Sequence, residues 1–211
     1  MIDRFLLPLQ HAILRPPAQM LAARGVGADQ ITLAAFGIGA LAVPALAAGW
    51  HGLALALILA NRALDGLDGA VARVTGPTDR GAFLDIVADF LFYGLVPLGF
   101  ALADPAANAL AAAFLITTFI GTGSSFLAFA AIAAQRGEAS SAYPAKGIYY
   151  LGGLTEGTET IALFVAMCLW PQAFPILATL FALLCLITTA LRWHWGWQAF
   201  SLPSNDHRTD A

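Results

Sequence analysis

Six apolar runs of about 20 residues each decide the class of fold, because that length of α-helix crosses the hydrocarbon core of a bilayer. The runs cover residues 31–50, 53–73, 82–103, 107–134, 150–170 and 174–195. Only 11% of the 211 residues are charged and 59% are hydrophobic, whereas a soluble domain carries about 25% charged residues. We therefore expect an all-α integral membrane protein with six transmembrane helices.

The segment before the first run has a different character. Residues 5–23 mix Leu, Ile and Met with Arg, Gln and His, which is typical of an amphipathic helix lying at the membrane interface. Pro16-Pro17 predicts a break in that helix. The expected organisation is an N-terminal interfacial segment over residues 1–29, a six-helix transmembrane domain over 30–196 and a cytoplasmic tail over 197–211.

The basic residues predict the orientation of the spans. Successive links between spans lie on alternate sides of the membrane, and the two sides differ sharply in basic residues. The links near Gly49, Asp104 and Pro171 contain no Lys or Arg. The residues that flank the spans on the other side are Arg4, Arg15, Arg24, Arg73, Arg80, Arg136, Lys146, Arg192 and Arg208. Positive residues favour the cytoplasmic side, so both termini are expected there. A formal net charge of −3 offers no basic surface for nucleic acid.

Four carboxylates lie inside or at the ends of the second and third runs: Asp65, Asp68, Asp85 and Asp89. Each costs about 2.5–3.5 kcal/mol at the bilayer centre on insertion scales, which makes intramembrane carboxylates functional candidates. Members of each pair are three or four residues apart and share one helix face. A short cytoplasmic link joins the two helices, so the four groups are expected to converge near the cytoplasmic surface.

Carboxylates that are packed together repel one another unless a positive charge neutralises them. Oxygen ligands favour a hard divalent cation, Mg²⁺ or Mn²⁺, and no His or Cys lies near the cluster to favour Zn²⁺. Salt bridges to Arg62 and Arg73 are the structural alternative, but two arginines cannot balance four aspartates. The sequence therefore predicts a divalent-cation site.

The residues around these aspartates resemble a known signature. Residues 65–73 read Asp-Gly-Leu-Asp-Gly-Ala-Val-Ala-Arg, and residues 81–89 read Gly-Ala-Phe-Leu-Asp-Ile-Val-Ala-Asp. The CDP-alcohol phosphatidyltransferase family has D-x-x-D-G-x-x-A-R, a spacer, then G-x-x-x-D-x-x-x-D, and all eight fixed positions match. Residues 121–126 and 149–160 look like a bacterial inner-membrane branch of this family. The spacer, residues 74–80, is shorter than is usual there, which predicts a tight link.

The resemblance implies an enzyme that transfers a phosphatidyl group from CDP-diacylglycerol to a small alcohol and releases CMP. It implies a pair of Mg²⁺ or Mn²⁺ ions at the four aspartates, with Asp89 also acting as general base. The residues implied to bind the CDP group are Asp65, Asp68, Gly69, Ala72, Arg73, Gly81 and Thr32. It also implies a multi-pass protein of the bacterial inner membrane and a homodimer.

The acceptor alcohol is the least constrained part of this expectation. Arg80, Arg136 and Lys146 could bind a phosphorylated acceptor, although the positive-inside rule alone would place them where they are. Glu156 and Glu159 could bind a polyol or an ammonium group, or could hydrogen-bond between helices as structural residues. A membrane transporter of divalent cations that uses the same aspartates is the alternative function.

Overall fold

The computed structural model describes residues 3–136 and 153–201, and these residues form helices and connecting turns without a β-strand. The helices are α1 (Asp3–Ala23), α2 (Ala28–Ala40), α3 (Ala42–Ala47), α4 (His51–Thr75), α5 (Asp79–Ala103), α6 (Pro105–Gln135), α7 (Gly157–Leu169) and α8 (Phe174–Ala199). A single 3₁₀ turn over Pro171–Ala173 precedes α8. The predicted all-α class is confirmed for the described residues.

Four of the six predicted spans are helices that are long and apolar enough to cross a membrane: Ala28–Ala47, Asp79–Ala103, Pro105–Gln135 and Pro171–Ala199. The second predicted span is the 25-residue α4, about 37 Å long at 1.5 Å per residue. Its length suffices, but its Arg and Asp residues make it less apolar than the four. The fifth corresponds to α7, which has only 13 residues.

Two details of the predicted helices are wrong. Helix α1 continues through Pro16 and Pro17, so the predicted break does not occur. Packing offsets the lost backbone hydrogen bonds, since Ala18 is fully buried in a cluster with Ala70 and Val71 of α4. Residues 153–156, which were expected inside the fifth span, are not helical and precede α7, and residues 150–152 lie outside the described residues.

The main core is formed by side chains of the six helices α3 to α8 and is rich in aromatic residues. Phe92, Phe100, Phe164 and Phe174 are almost completely buried, and the rings of Phe100 and Phe174 stack with their centroids 4.5 Å apart. Large apolar side chains also cover the outside, where Leu110 is 85% exposed. An outer surface of this kind is expected where helices face lipid.

Close helix packing relies on glycines that face bulky side chains. A Cβ on Gly39 of α2 would lie 2.8 Å from both Asn61 and Phe92, and one on Gly123 of α6 would lie 2.5 Å from Phe90. Gly121 faces Thr189 of α8 in the same way. Gly121 and Gly123 of the fourth span therefore serve packing within one chain.

We predict that Gly39→Ala lowers the thermal unfolding temperature of the protein in detergent. The added methyl group overpacks the contact of α2 with α4 and α5, which costs about 1–3 kcal/mol. Gly37→Ala, two residues earlier, is the matched control because nothing lies within 4 Å of its Cβ position. That variant is expected to be neutral or more stable, since Ala favours a helix over Gly by about 0.5–1 kcal/mol. Equal stability of both variants would contradict this account of the packing.

Candidate metal centre

Helix α2 brings the predicted carboxylates together, since it packs against both α4 and α5. The tight link between the latter two begins at Gly76, whose φ of 98° favours glycine. It ends at Thr78, whose side chain accepts a hydrogen bond of 3.0 Å from the backbone N–H of Gly81 and caps α5. A short link of this kind starts α5 beside the end of α4.

Three of the four predicted ligands converge. Asp65 and Asp68 of α4 and Asp85 of α5 each offer a carboxylate oxygen, and these oxygens lie within 4.8 Å of one another. Asp68 is the most enclosed of the three, with 5% of its surface exposed. Three carboxylate oxygens at this separation fit a hard divalent cation such as Mg²⁺ or Mn²⁺.

Thr32 fixes one of these ligands. Its hydroxyl donates a hydrogen bond of 2.6 Å to Oδ2 of Asp68, and both side chains are buried. A hydrogen bond from a neighbouring group orients a metal ligand and keeps it charged. Thr32 was expected at the nucleotide site, and the structure places its hydroxyl directly behind the carboxylate cluster.

The fourth carboxylate, Asp89, pairs with an arginine instead of joining the other three. Its Oδ1 lies 2.8 Å from Nη1 of Arg62, an ion pair whose angle does not meet hydrogen-bond geometry. The same nitrogen lies 3.4 Å from Oδ2 of Asp65. Arg62 therefore lies between Asp89 and the other three carboxylates. Salt bridges to Arg62 were the structural alternative to a cation site, and the structure contains both this ion pair and the carboxylate cluster.

The sequence did not predict the contacts that hold the Arg62 side chain in place. Its Nε donates a hydrogen bond of 2.7 Å to Oδ1 of Asn61, which is buried and donates in turn to the carbonyl of Ala35 at 2.8 Å. The guanidinium also lies over the Phe92 ring, 4.7 Å from its centroid, a cation–π contact. The sequence signal that could have indicated these contacts is the pair of adjacent polar residues, Asn61 and Arg62, inside an apolar run.

The structure places three other residues implied to bind CDP close to this centre. Gly69 lies beside Arg73, whose Nη1 would be 3.5 Å from a Cβ at that glycine. A Cβ at Gly81 would lie 3.0 Å from Oδ1 of Asp29, so the start of α5 approaches α2 closely. Ala72 is half-buried on α4 next to Arg73.

A cavity of about 500 Å³ lies between α1 and α4, lined by Arg15, Gln19, Ala70, Arg73 and Val74. Both arginines are exposed, and neither has an ion-pair partner in the described parts of the chain. Arg15 and Gln19 are four residues apart and share one face of α1. The sequence predicted α1 as an interfacial helix but did not predict that it lines a cavity with Arg73.

The predicted acceptor residues do not form one group. Arg80 binds Asp29 at 2.6 Å and is 80% exposed. Arg136 donates to the carbonyl of Ala199 at 3.3 Å and joins the ends of α6 and α8. Lys146 lies outside the described residues.

Glu156 and Glu159 lie at the start of α7 rather than inside a span. Glu156 is the N-cap of this helix, and its backbone N–H donates a hydrogen bond of 3.2 Å to Glu159. This reciprocal arrangement is a capping box. It gives both glutamates a structural role within their own helix.

The amino-acid sequence matches a family model and a bacterial relative. The model of a family described as CDP-alcohol phosphatidyltransferase matches residues 26–193. The inner membrane protein YnjF of Escherichia coli K12 is 55% identical over 192 residues, which cover 91% of this chain and 93% of the relative.

Two crystal structures of phosphatidylinositol phosphate synthase PgsA1 from Mycobacterium tuberculosis share the fold. The structure with CDP-DAG bound has a TM-score of 0.71 at 23% identity and covers 88% of this chain and 94% of its own. The structure in complex with manganese and citrate has a TM-score of 0.65 at 23% identity, with 87% and 88% covered.

We predict that Thr32→Val weakens Mn²⁺ binding by about 10–100-fold, the usual effect of removing a group that orients a metal ligand. Valine keeps the shape of the side chain but cannot donate to Asp68. Thr32→Ser keeps the hydroxyl and is expected to retain affinity. Titration of the purified protein with Mn²⁺, followed by electron paramagnetic resonance of the free ion, measures the difference. Wild-type affinity in the valine variant would remove Thr32 from the centre.

Proposed function

The chain belongs to the CDP-alcohol phosphatidyltransferase family, and on this premise we propose that it transfers a phosphatidyl group from CDP-diacylglycerol to a small alcohol with release of CMP. One observation carries the proposal: the family's aspartates at positions 65, 68 and 85 bring three oxygens within 4.8 Å of one another. Such a centre suits a charged diphosphate substrate because a divalent cation can bind both carboxylates and phosphate.

The shared fold supports the choice of substrate and cofactor. PgsA1 has this fold, and its crystal structures contain CDP-DAG in one case and manganese in the other. Asp65, Asp68 and Asp85 would hold the Mg²⁺ or Mn²⁺ of this chain. The cation supplies Lewis-acid stabilisation of negative charge on the diphosphate.

The proposed nucleotide site lies beside this centre. Arg73 of α4 carries a permanent positive charge and lines the cavity with Arg15 and Gln19 of α1. Two guanidinium groups with no ion-pair partner among the described residues are suited to phosphate oxygens. Gly69, next to Arg73, has no side chain that would cover the helix backbone, so a nucleotide can approach the backbone closely.

Asp89 is the proposed general base. The acceptor hydroxyl oxygen attacks the phosphorus on the lipid side of the diphosphate and forms the new P–O bond. The bond from that phosphorus to the bridging oxygen breaks, and CMP leaves with the bridging oxygen. The hydroxyl proton passes to the Asp89 carboxylate as the new bond forms. The protein holds the reactants in line, which is the main contribution of most phosphoryl-transfer enzymes.

The position of the site suits a lipid substrate. It lies on the halves of α4 and α5 that adjoin their link, and the basic residues near this link predict the cytoplasmic side of the membrane. The diacylglycerol tails can remain among apolar helices while the CDP group meets a water-soluble alcohol. We propose an inner-membrane protein with six spans and cytoplasmic termini, supported by its 55% identity to an inner membrane protein.

The acceptor remains defined only as a small alcohol. Arg80 is exposed near Asp85 in sequence and is the candidate that best fits a phosphorylated acceptor, although its pairing with Asp29 would have to break. Glu156, Glu159 and Arg136 are bound within the structure. Incubation of the purified protein and CDP-diacylglycerol with serine, inositol, glycerol, glycerol 3-phosphate, inositol phosphate or choline identifies the acceptor from the lipid product.

We predict that Asp89→Asn abolishes transfer and leaves binding of CDP-diacylglycerol largely intact. The amide keeps the shape of the side chain but cannot accept the proton from the acceptor alcohol. CMP release measures transfer, and tritiated CDP-diacylglycerol measures binding to the protein in detergent. Asp79→Asn is the matched control, since Asp79 is exposed in the first turn of the same helix. Full activity of Asp89→Asn would exclude Asp89 as the base.

CMP release also separates the proposed function from cation transport through the same aspartates. A transferase releases CMP from CDP-diacylglycerol when a divalent cation and an acceptor are present. A transporter instead moves the cation across vesicles in the absence of any CDP-lipid, and such flux without CMP release would replace the proposed function.

A further inference from the structure

The residues one helical turn away from the carboxylate cluster form a second layer across the same three helices. Thr32, Asp68 and Asp85 belong to the first layer, on α2, α4 and α5. Residues three or four apart on a helix lie one turn apart on the same face. One turn toward the α4–α5 link, the second layer consists of Asp29 of α2, Ala72 of α4 and Gly81 of α5.

This second layer carries little side-chain volume. Oδ1 of Asp29 would lie 3.0 Å from a Cβ at Gly81, so these two residues face each other across α2 and α5. Gly81 has no side chain and Ala72 has only a methyl group, so little protein covers the carboxylates on this side. A nucleotide whose diphosphate reaches the carboxylates would therefore place its ribose and base against this layer.

Asp29 supplies the polar side chain of the second layer, and Arg80 holds it. The Nε of Arg80 donates a hydrogen bond of 2.7 Å to Oδ2 of Asp29, and Nη2 lies 2.6 Å from the same oxygen. Among the described residues, Oδ1 of Asp29 has no hydrogen-bond or ion-pair partner. The guanidinium also offsets the charge of Asp29, which would otherwise repel an anionic diphosphate.

We propose that Asp29 is a specificity residue that reads the cytosine base of the CDP group through Oδ1. The exocyclic amino group of cytosine donates hydrogen bonds that a carboxylate accepts. Uracil has a carbonyl oxygen at the same position, which cannot donate and would face the carboxylate as a second acceptor. This inference rests on the proposed transfer from CDP-diacylglycerol and specifies how its nucleotide is selected.

Arg80 is then a positioning residue. By binding Oδ2 it fixes the carboxylate of Asp29 and leaves Oδ1 directed at Gly81. In this role Arg80 stays with Asp29 instead of binding an acceptor. Neither Asp29 nor Arg80 is a fixed position of the signature in residues 65–73 and 81–89, so base selection depends on residues outside it.

Displacement of tritiated CDP-diacylglycerol from the full-length protein in detergent with Mn²⁺ tests the proposal. CDP is expected to displace the lipid at a concentration about 10–100-fold lower than UDP, the usual discrimination of one well-placed base contact. Equal displacement by CDP and UDP, or displacement by neither, would overturn the inference and leave the proposed transfer intact. Failure of the CDP-lipid itself to bind would overturn the proposed function as well.

Asp29→Asn tests the residue itself. The amide can turn either its oxygen or its NH₂ group toward the base, so the preference for CDP over UDP is expected to disappear, chiefly through tighter binding of UDP. Asp79→Asn removes an exposed carboxylate next to Arg80 and is the matched control that should keep the wild-type preference. A full preference for CDP in Asp29→Asn would exclude Asp29 as the group that reads the base.

Two variants test the positioning role of Arg80. Arg80→Gln is expected to lower the preference for CDP, and Arg80→Lys, which keeps a cation for the carboxylate, should restore part of it. A merely structural arginine would change the unfolding temperature without changing the ratio of the two nucleotide affinities. The wild-type ratio in Arg80→Gln would therefore contradict the positioning role.

A change in the ligand keeps the test decisive if a variant is unstable. The CDP analogue that carries hydrogen in place of the exocyclic amino group is smaller than CDP and fits wherever CDP fits. The wild type is expected to bind this analogue about 10–100-fold more weakly than CDP, because the donor to Asp29 is missing. Equal displacement of the CDP-lipid by the analogue and by CDP would overturn the proposal, whatever the stability of the variants.

Discussion

The repulsion among carboxylates inside an apolar helical bundle is the constraint on which the site depends. Asp65, Asp68 and Asp85 bring their oxygens within 4.8 Å of one another, and each would destabilise the bundle as an isolated charge. The protein meets this cost with a hydroxyl donor behind Asp68, a guanidinium beside Asp89 and an arrangement suited to a divalent cation. Stability and chemistry therefore depend on the same contacts.

Helix α2 is central to this arrangement. It contains few polar groups, yet it contacts both α4 and α5 and supplies Thr32 to Asp68. The Ala35 carbonyl of α2 also accepts a hydrogen bond from the Asn61 side-chain amide. This bond positions Asn61, which in turn binds Arg62. The aspartates of the family signature lie on α4 and α5, but their geometry depends on the neighbouring helix. Close packing at Gly39 allows that approach.

The sequence predicted the parts that follow from periodicity and charge. Apolar runs identified four helices that are long and apolar enough to cross a membrane. The spacing of the aspartates predicted a shared cation site because residues three or four apart lie on one helix face. Hydropathy placed the start of the fifth span at residue 150, whereas α7 begins at Gly157. There the capping box of Glu156 and Glu159 determines the start.

Contacts between helices that are distant in sequence could not be predicted. Arg62 and Asp65 are neighbours on α4, but the pairing of Arg62 with Asp89 depends on how α4 and α5 are rotated about their axes. The cavity formed by Arg15, Gln19 and Arg73 depends in the same way on how α1 packs on α4. Prolines in α1 suggested a break, and tertiary packing overrides that local preference.

Divalent-cation dependence of CMP release from CDP-diacylglycerol tests the central claim most directly. The purified wild type, freed of metal with a chelator, should release CMP only after Mg²⁺ or Mn²⁺ is restored, and Asp85→Asn should need a much higher cation concentration for the same rate. CMP release at the full rate without a divalent cation, or an unchanged cation requirement in Asp85→Asn, would contradict the account.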